Sequence, residues 1–242
     1  MPFPVGLLDR LNALGPFFAV HSHLATARPH SPWHPMGELL ERPELLRERV
    51  RLVREQLARN GGQAPEYIEP RVAASVTHQA MTARLISPVL ASAVLADTVL
   101  AIELGTLWWQ RPPGGPMPLS VPEDASEGPV QNRTELAEAV ARRVLQGPVA
   151  ELGAAFRTLS VSDAILWGNV ASAVNGARIV LHADAPERAA AFAARLHRHA
   201  PLRGCSTISA DGIFRRRSCC LIYRAAPGKA GGLCGDCVLA SR

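Results

Sequence analysis

From Pro43 onward, apolar positions recur at helical spacing. Leu46, Val50, Val53 and Leu57 lie four, three and four residues apart, with Glu and Arg between them. One dry and one wet face over this stretch predict an amphipathic α-helix. Pro43 suits its first turn and Asn60-Gly61-Gly62 supplies the stop. The segment from Arg71 to about Leu104 is apolar almost throughout, and Pro88 interrupts it. This pattern predicts two consecutive buried helices that break or kink at the proline.

Helical patterning returns over Glu135–Leu145 and Val149–Leu159, separated by Gln146-Gly147-Pro148. A further helix is expected from about Ser162 to His182, with Ile165, Trp167, Val170, Val174 and Ile179 on its apolar face. Asp184-Ala185-Pro186-Glu187 reads as a helix start with Asp184 as N-cap. The helix it opens carries Ala190, Phe192, Ala193 and Leu196 and ends near His199.

Elsewhere the periodicity fails. Leu11–Val20 reads as a short packed helix, and HSHLATARPHSPWHP reads as a loop whose His21, His23, His30 and His34 are surface residues. Residues 105–132 are rich in Pro and Gly, and only Leu107-Trp108-Trp109 suggests a short strand. The expected fold is mainly α: a helical bundle domain over residues 1–204 with a few short strands, then a compact cysteine-rich tail over 205–242.

Composition narrows the function classes. The chain of 242 residues is 48% hydrophobic and 19% charged, a globular balance and not a disordered one. Its net charge of +5 comes from arginines spread along the chain, and only Arg215-Arg216-Arg217 forms a run. No helix-turn-helix, RNP or zinc-finger spacing accompanies that charge, so no nucleic-acid partner is expected. Asp9-Arg10 cuts the N-terminal apolar run, and the uncharged stretch Leu85–Ala96 falls short of the ~20 residues that span a bilayer. The expectation is a cytoplasmic protein without an integral membrane segment. No G-x-G-x-x-G follows a strand, so no dinucleotide site is expected either.

The cysteines carry the candidate chemistry. Residues 1–204 contain none, while Cys205, Cys219, Cys220, Cys234 and Cys237 crowd the C-terminus. Stapling disulfides would be scattered through the fold, so the cluster points to a single purpose, metal binding above all. Cys234-Gly235-Asp236-Cys237 offers two sulfurs at a bite that one metal ion accepts. Structural zinc and an iron–sulfur cluster both fit this half. Zinc knuckles usually bring two Cys-x-x-Cys arms, and the vicinal Cys219-Cys220 pair chelates one small ion awkwardly. Spacing therefore favours iron–sulfur over zinc, with a redox disulfide third. Arg215, Arg216, Arg217 and Arg224 bracket the pair. They read either as a solvated run or as a landing place for an anionic electron donor or iron chelate.

RRRSCCLIYR, a Gly-rich spacer and GLCGDC together resemble the C-terminal signature of the FhuF-type ferric siderophore reductases. DAILWGNVASAV (163–174) is similar to a Trp-Gly-Asn stretch of that family, and the helix from Arg71 ending at Leu-Ile-Ser-Pro is a third likeness. The resemblance implies a 2Fe-2S cluster on Cys219, Cys220, Cys234 and Cys237. Its activity would be one-electron reduction of a bound ferric siderophore, releasing Fe(II) in the cytoplasm. Electrons would come from a ferredoxin, a flavodoxin-like protein or an NAD(P)H-dependent reductase. No catalytic residue is implied beyond the cluster, and Arg215, Arg216, Arg217 and Arg224 are the candidate substrate contacts. The thirteen-residue spacer between Cys220 and Cys234 departs from the family by a small loop insertion. The alternative is a non-catalytic module, pinned by iron–sulfur or zinc, that binds siderophore or a precursor. Cys205 is read as a bystander, His78 as a hydrogen-bonded core residue, and Trp167 and Asn169 as pocket-lining candidates.

Overall fold

The computed structural model describes residues 1–112, 114–209 and 212–241. It is mainly α, with short strands and a cysteine-bearing C-terminal segment. Helix α1 (Leu7–Ala13) is followed by strands β1 (His21–His23) and β2 (His34–Pro35), then α2 (Glu38–Glu41) and α3 (Pro43–Asn60). The central helix α4 (Pro70–Ala96) leads to β3 (Thr98–Leu100), β4 (Trp108–Trp109), β5 (Leu119–Pro122) and β6 (Ser126–Pro129). Next come α5 (Arg133–Val140), a π-helical turn (Ala141–Leu145), α6 (Pro148–Arg157), α7 (Asp163–Leu181) and α8 (Pro186–Leu196). The hairpin β7 (Ser206–Ile208) and β8 (Phe214–Arg216) then opens the tail.

Helix α3 follows its pattern, with Pro43 at the first helical position and Leu46 and Val50 in the core. The predicted break at Pro88 does not occur, and one helix runs from Pro70 to Ala96. Proline withdraws one N–H donor, but this helix is packed on nearly every side and burial holds it together. Ser87 Oγ donates to the Ala83 carbonyl, 2.7 Å away, beside the proline. The helix stops well before Leu104, where Asp97 takes a left-handed conformation with φ 50°. Both α4 and α7 are long and apolar enough to cross a membrane, yet 72% and 61% of their apolar windows are buried inside this protein. They are core helices packed side by side.

Four local expectations are corrected. The N-terminal helix spans Leu7–Ala13 and not Leu11–Val20, and it begins after Gly6 at φ 73°. The His-rich segment is not all loop: β1 pairs in parallel with β5, and β2 pairs with β4, in a four-stranded sheet of order β1-β5-β4-β2. His23 stacks on Trp108 at 3.7 Å between ring centroids and shares a hydrogen bond with Ser120 Oγ. Helix α8 is capped by the Ala185 position with no side-chain bond, and Ala189, not Ala190, faces the core. In α7, Ile179 is 56% exposed, and Leu166, Ala177 and Leu181 complete the buried face instead.

Arg84 ties the N-terminal segment to the bundle. It is 2% exposed, and its guanidinium donates to the carbonyls of Met117 (2.8 Å), Phe17 and Ala19 (2.8 Å). Burial draws its pKa down to about 10. Arg84→Met leaves one buried and two partly buried carbonyls without this donor, so stability is expected to fall by roughly 3 kcal/mol. An unchanged urea midpoint would refute this.

Candidate metal centre

The tail lies in the trough between α4 and α7. Ser75, Gln79, Ala83 and Ser87 follow one another at four-residue spacing along α4, and Asn169, Ser172, Gly176 and Val180 form the matching row on α7. The earlier members of each row grip the tail. Ser75 Oγ donates to the Cys220 carbonyl (2.9 Å), and Ser172 Oγ donates to Asp236 Oδ2 (2.6 Å). Asn175 Nδ2 reaches Asp236 Oδ1 at 3.4 Å.

Arg216, at the end of β8, is 1% exposed. Its Nη2 donates to Asn169 Oδ1 (2.8 Å), its Nε to the Ser218 carbonyl (3.1 Å) and its Nη1 to Gln79 Oε1 (3.4 Å). Asn169 is oriented in turn, because its amide nitrogen donates to the Ser75 carbonyl (3.0 Å) and meets His78 Nδ1 at 3.3 Å. The preceding Gly168 explains the Trp-Gly-Asn sequence: a Cβ there would come within 2.0 Å of Ser218 Oγ. An added methyl would force the Ser218 hydroxyl to rotate away, and a longer side chain would press on Ser218 Cβ and the Arg216 guanidinium. Trp167 is half-buried beside Leu166 and Val170 on the far side of α7, around a small cavity that His78 also lines.

After the vicinal cysteines the chain turns sharply. Leu221 is left-handed (φ 70°) and leads into a 3₁₀ turn over Ile222–Ala225. The adjacent thiols are thus not carried off in diverging directions along an extended strand. The Leu221 N–H points at Cys219 Sγ (3.2 Å), the Ile222 N–H serves Cys220, and the Leu239 N–H points at Cys237 Sγ (3.3 Å). A second turn closes through the Cys237 N–H to the Cys234 carbonyl (3.0 Å). Cys220 and Cys234 share a hydrogen bond at 3.5 Å. That bond, with the Ile222 N–H and the Arg216 charge, pulls the Cys220 thiol down to about 6. The same bond and then burial push the Cys234 thiol up, against the Arg216 charge. Burial raises the Cys219 thiol, partly offset by the Leu221 N–H.

The spacer is anchored separately. Arg224 and Lys229 both pair with Glu69 at the start of α4, at 2.5 and 2.9 Å. Gln63 Nε2 donates to the Ala225 carbonyl (2.6 Å), and Ala225 packs on Ala58, Ile68 and Val72. Gly231 closes the loop through its N–H to the Tyr223 carbonyl (2.9 Å), where a Cβ would approach that oxygen to 2.8 Å.

These placements redistribute the four candidate arginines. Arg216 is buried with its guanidinium turned into the protein, and Arg224 is paired with Glu69. Arg215 is half-buried with Nη1 at 3.5 Å from the Cys237 carbonyl, and Arg217 alone is exposed. Cys205 lies apart, its Sγ 3.4 Å from the Pro201 carbonyl. Ser75, Gln79, Ser172 and Asp236 were not singled out in the sequence. The signal for Ser75, Gln79 and Ser172 is the polar stripe on two otherwise apolar helices, whereas Asp236 sits inside the Cys-x-x-Cys turn with no separate signal.

The thiols at Cys219, Cys220, Cys234 and Cys237 are all free, and electrostatic interactions link them. Among the described residues, no three His, Cys, Asp or Glu side chains close on a single-ion position. The fit to an iron–sulfur group lies in the donor chemistry: four thiols, three with backbone N–H groups aimed at the sulfur, and one buried cation nearby. Residues 216–239 match the family model described as the FhuF 2Fe-2S C-terminal domain. The resemblance of the cysteine tail to the FhuF family therefore holds over that segment, and the match supports an iron–sulfur cofactor. No curated protein matches the chain.

Beneath Asn169, burial and then the Arg216 charge hold the His78 pKa down at about 3, from an ordinary 6.5. The folded protein keeps this ring neutral, while the unfolded chain protonates it below pH 6.5. Stability is thus complete above that pH and falls on acidification, by up to ~1.4 kcal/mol per pH unit until the folded pKa is reached. His78→Gln, which keeps an acceptor for Asn169, is expected to flatten the fall between pH 6 and pH 4. Identical slopes in denaturant melts of the two proteins would refute it.

Proposed function

We propose that the protein is a ferric siderophore reductase, taking one electron from an external donor protein and delivering it to the Fe(III) of a bound chelate. The observation that carries this reading is the gathering of four free thiols against α4 and α7, within the segment that matches the 2Fe-2S family model. Cys219, Cys220, Cys234 and Cys237 would hold the cluster, and the N–H groups of Leu221, Ile222 and Leu239 would stabilise charge on their sulfurs. When bound, a 2Fe-2S cluster supplies electrons one at a time. Gaining one electron converts Fe(III) to Fe(II), which hard oxygen ligands such as hydroxamate or catecholate hold less tightly, so the metal can leave. In this reading residues 1–204 bind the chelate, residues 205–242 carry the electron, and the reaction takes place in the cytoplasm.

A place for the chelate adjoins the tail. Beyond Gln79 and Ser172 the trough between α4 and α7 stays open as a groove of about 350 Å³, walled by Phe17 and Phe18 and floored by Ala83 and Gly176. Gln79 and Ser172 belong to both regions, since they also bond Arg216 and Asp236. None of the described residues lining the groove is charged. That lining suits an uncharged chelate with apolar flanks better than a multiply anionic one, and in this reading the groove is the substrate contact.

Two measurements test the reading. Anaerobically purified protein is expected to show thiolate-to-iron absorbance and, after reduction, a rhombic EPR signal, both lost in Cys234→Ser while the helical circular dichroism persists. Colourless protein with one zinc would sink the cluster, and reduced protein that passes no electron to any ferric chelate would leave only a non-catalytic module. A Cβ at Gly176 meets no atom within 4 Å. Gly176→Trp is therefore expected to fill the groove and lower kcat/KM for the chelate at least tenfold (about 1.4 kcal/mol) with the cluster spectrum unchanged. Unaltered kinetics would place the chelate elsewhere.

A further inference from the structure

We propose that Arg216 is a positioning residue, clamped by Asn169, whose buried positive charge raises the reduction potential of the group held by the four cysteines. The inference rests on the iron–sulfur reading above and goes beyond it, because it assigns a role to a side chain that does not touch substrate.

Three observations carry it. Arg216 is almost wholly buried, yet its three side-chain acceptors, Asn169 Oδ1, the Ser218 carbonyl and Gln79 Oε1, are all neutral. Among the described residues it forms no ion pair with a carboxylate. Asp236, whose carbonyl accepts from the Arg216 N–H at 3.0 Å, turns its carboxylate away to Ser172 and Asn175. A guanidinium taken out of water without a counter-charge costs several kcal/mol. Such a cation is stabilised by negative charge placed beside it. The neighbouring donor groups are sulfurs: Ser218, whose carbonyl accepts from Arg216 Nε, immediately precedes Cys219-Cys220, and Asp236, whose carbonyl accepts from the Arg216 N–H, immediately precedes Cys237.

The second observation is that the cation has little freedom to move. The amide of Asn169 is fixed by its bonds to the Ser75 carbonyl and His78, which leaves Oδ1 facing the guanidinium. The third is steric. Gly168 leaves the space in which Ser218 and the guanidinium lie, with Nη2 only 3.6 Å from where a Cβ would stand. A fixed cation in a medium of low dielectric favours the state carrying more negative charge. Reduction adds one electron to a thiolate-ligated cluster, so the cation stabilises the reduced form and raises the potential.

The test is a redox titration, read by EPR, of cluster-loaded full-length wild type, Arg216→Met, Arg216→Lys and Asn169→Asp. Removing the charge in Arg216→Met is expected to shift the midpoint to a more negative potential. Asn169→Asp keeps the acceptor and every atom of the tail but compensates the charge, so it is expected to shift the midpoint the same way. Arg216→Lys keeps the charge and is expected to stay closest to wild type. If Arg216→Met does not retain the cluster, Asn169→Asp still reads the effect. Midpoints unmoved in the cluster-loaded variants would overturn this inference alone, as would a lysine variant that shifts as far as the methionine one. A wild-type protein with no 2Fe-2S signal would overturn it together with the reading on which it rests.

Discussion

A guanidinium buried against neutral acceptors is the interaction on which the C-terminal half of this architecture depends. Arg216 joins three parts of the molecule: the hairpin that opens the tail, the start of the cysteine loop at Ser218, and Asn169 of the helix beneath. Hydrogen bonds to amide and carbonyl oxygens satisfy its donors without neutralising its charge. The result is a guanidinium whose donors are met by oxygen acceptors and whose charge is not neutralised. Thiolates on the adjacent loop are what that field favours.

Helices α4 and α7 make this arrangement possible by presenting two kinds of surface in one trough. Small residues at Ser75, Gly168 and Ser172 let the tail backbone approach closely, and longer polar side chains at Gln79 and Asn169 meet it. Further along, alanine and glycine leave the trough open beside Phe17 and Phe18. One pair of helices thus serves as clamp at one end and as cavity at the other. The N-terminal segment that walls the cavity is held to α4 by Arg84, so a second buried arginine shapes the open end.

Much of this was legible in the sequence. The mainly helical fold, the helices at 43–60 and 163–181, and the likeness of the tail to the FhuF family all follow from periodicity and cysteine spacing. What the sequence obscured has physical causes. Pro88 lies inside a helix because packing on nearly all sides outweighs one lost hydrogen bond. The strands around His21 and His34 are too short for a period-2 signal, and β1 pairs with a partner about a hundred residues away. Arg216 sat in a run of three arginines and looked like its solvated neighbours. Alternation along the β8 strand, which turns Phe214 and Arg216 inward and leaves Arg215 between them, is what separates it. A net-charge reading counts such a residue as surface, whereas its burial makes it part of the interior.

The long spacer acquires a different meaning from its anchorage at Glu69. Arg71, Arg224 and Lys229 converge on that one carboxylate, while the thiol-bearing turns on either side are fixed by Ser75 and Ser172. The extra residues hang from an attachment point of their own, so their length is mechanically decoupled from the spacing of the sulfurs. The cysteine segment is correspondingly no transplantable cassette. Moved to another scaffold it would keep its four sulfurs and lose the helical faces that complete them.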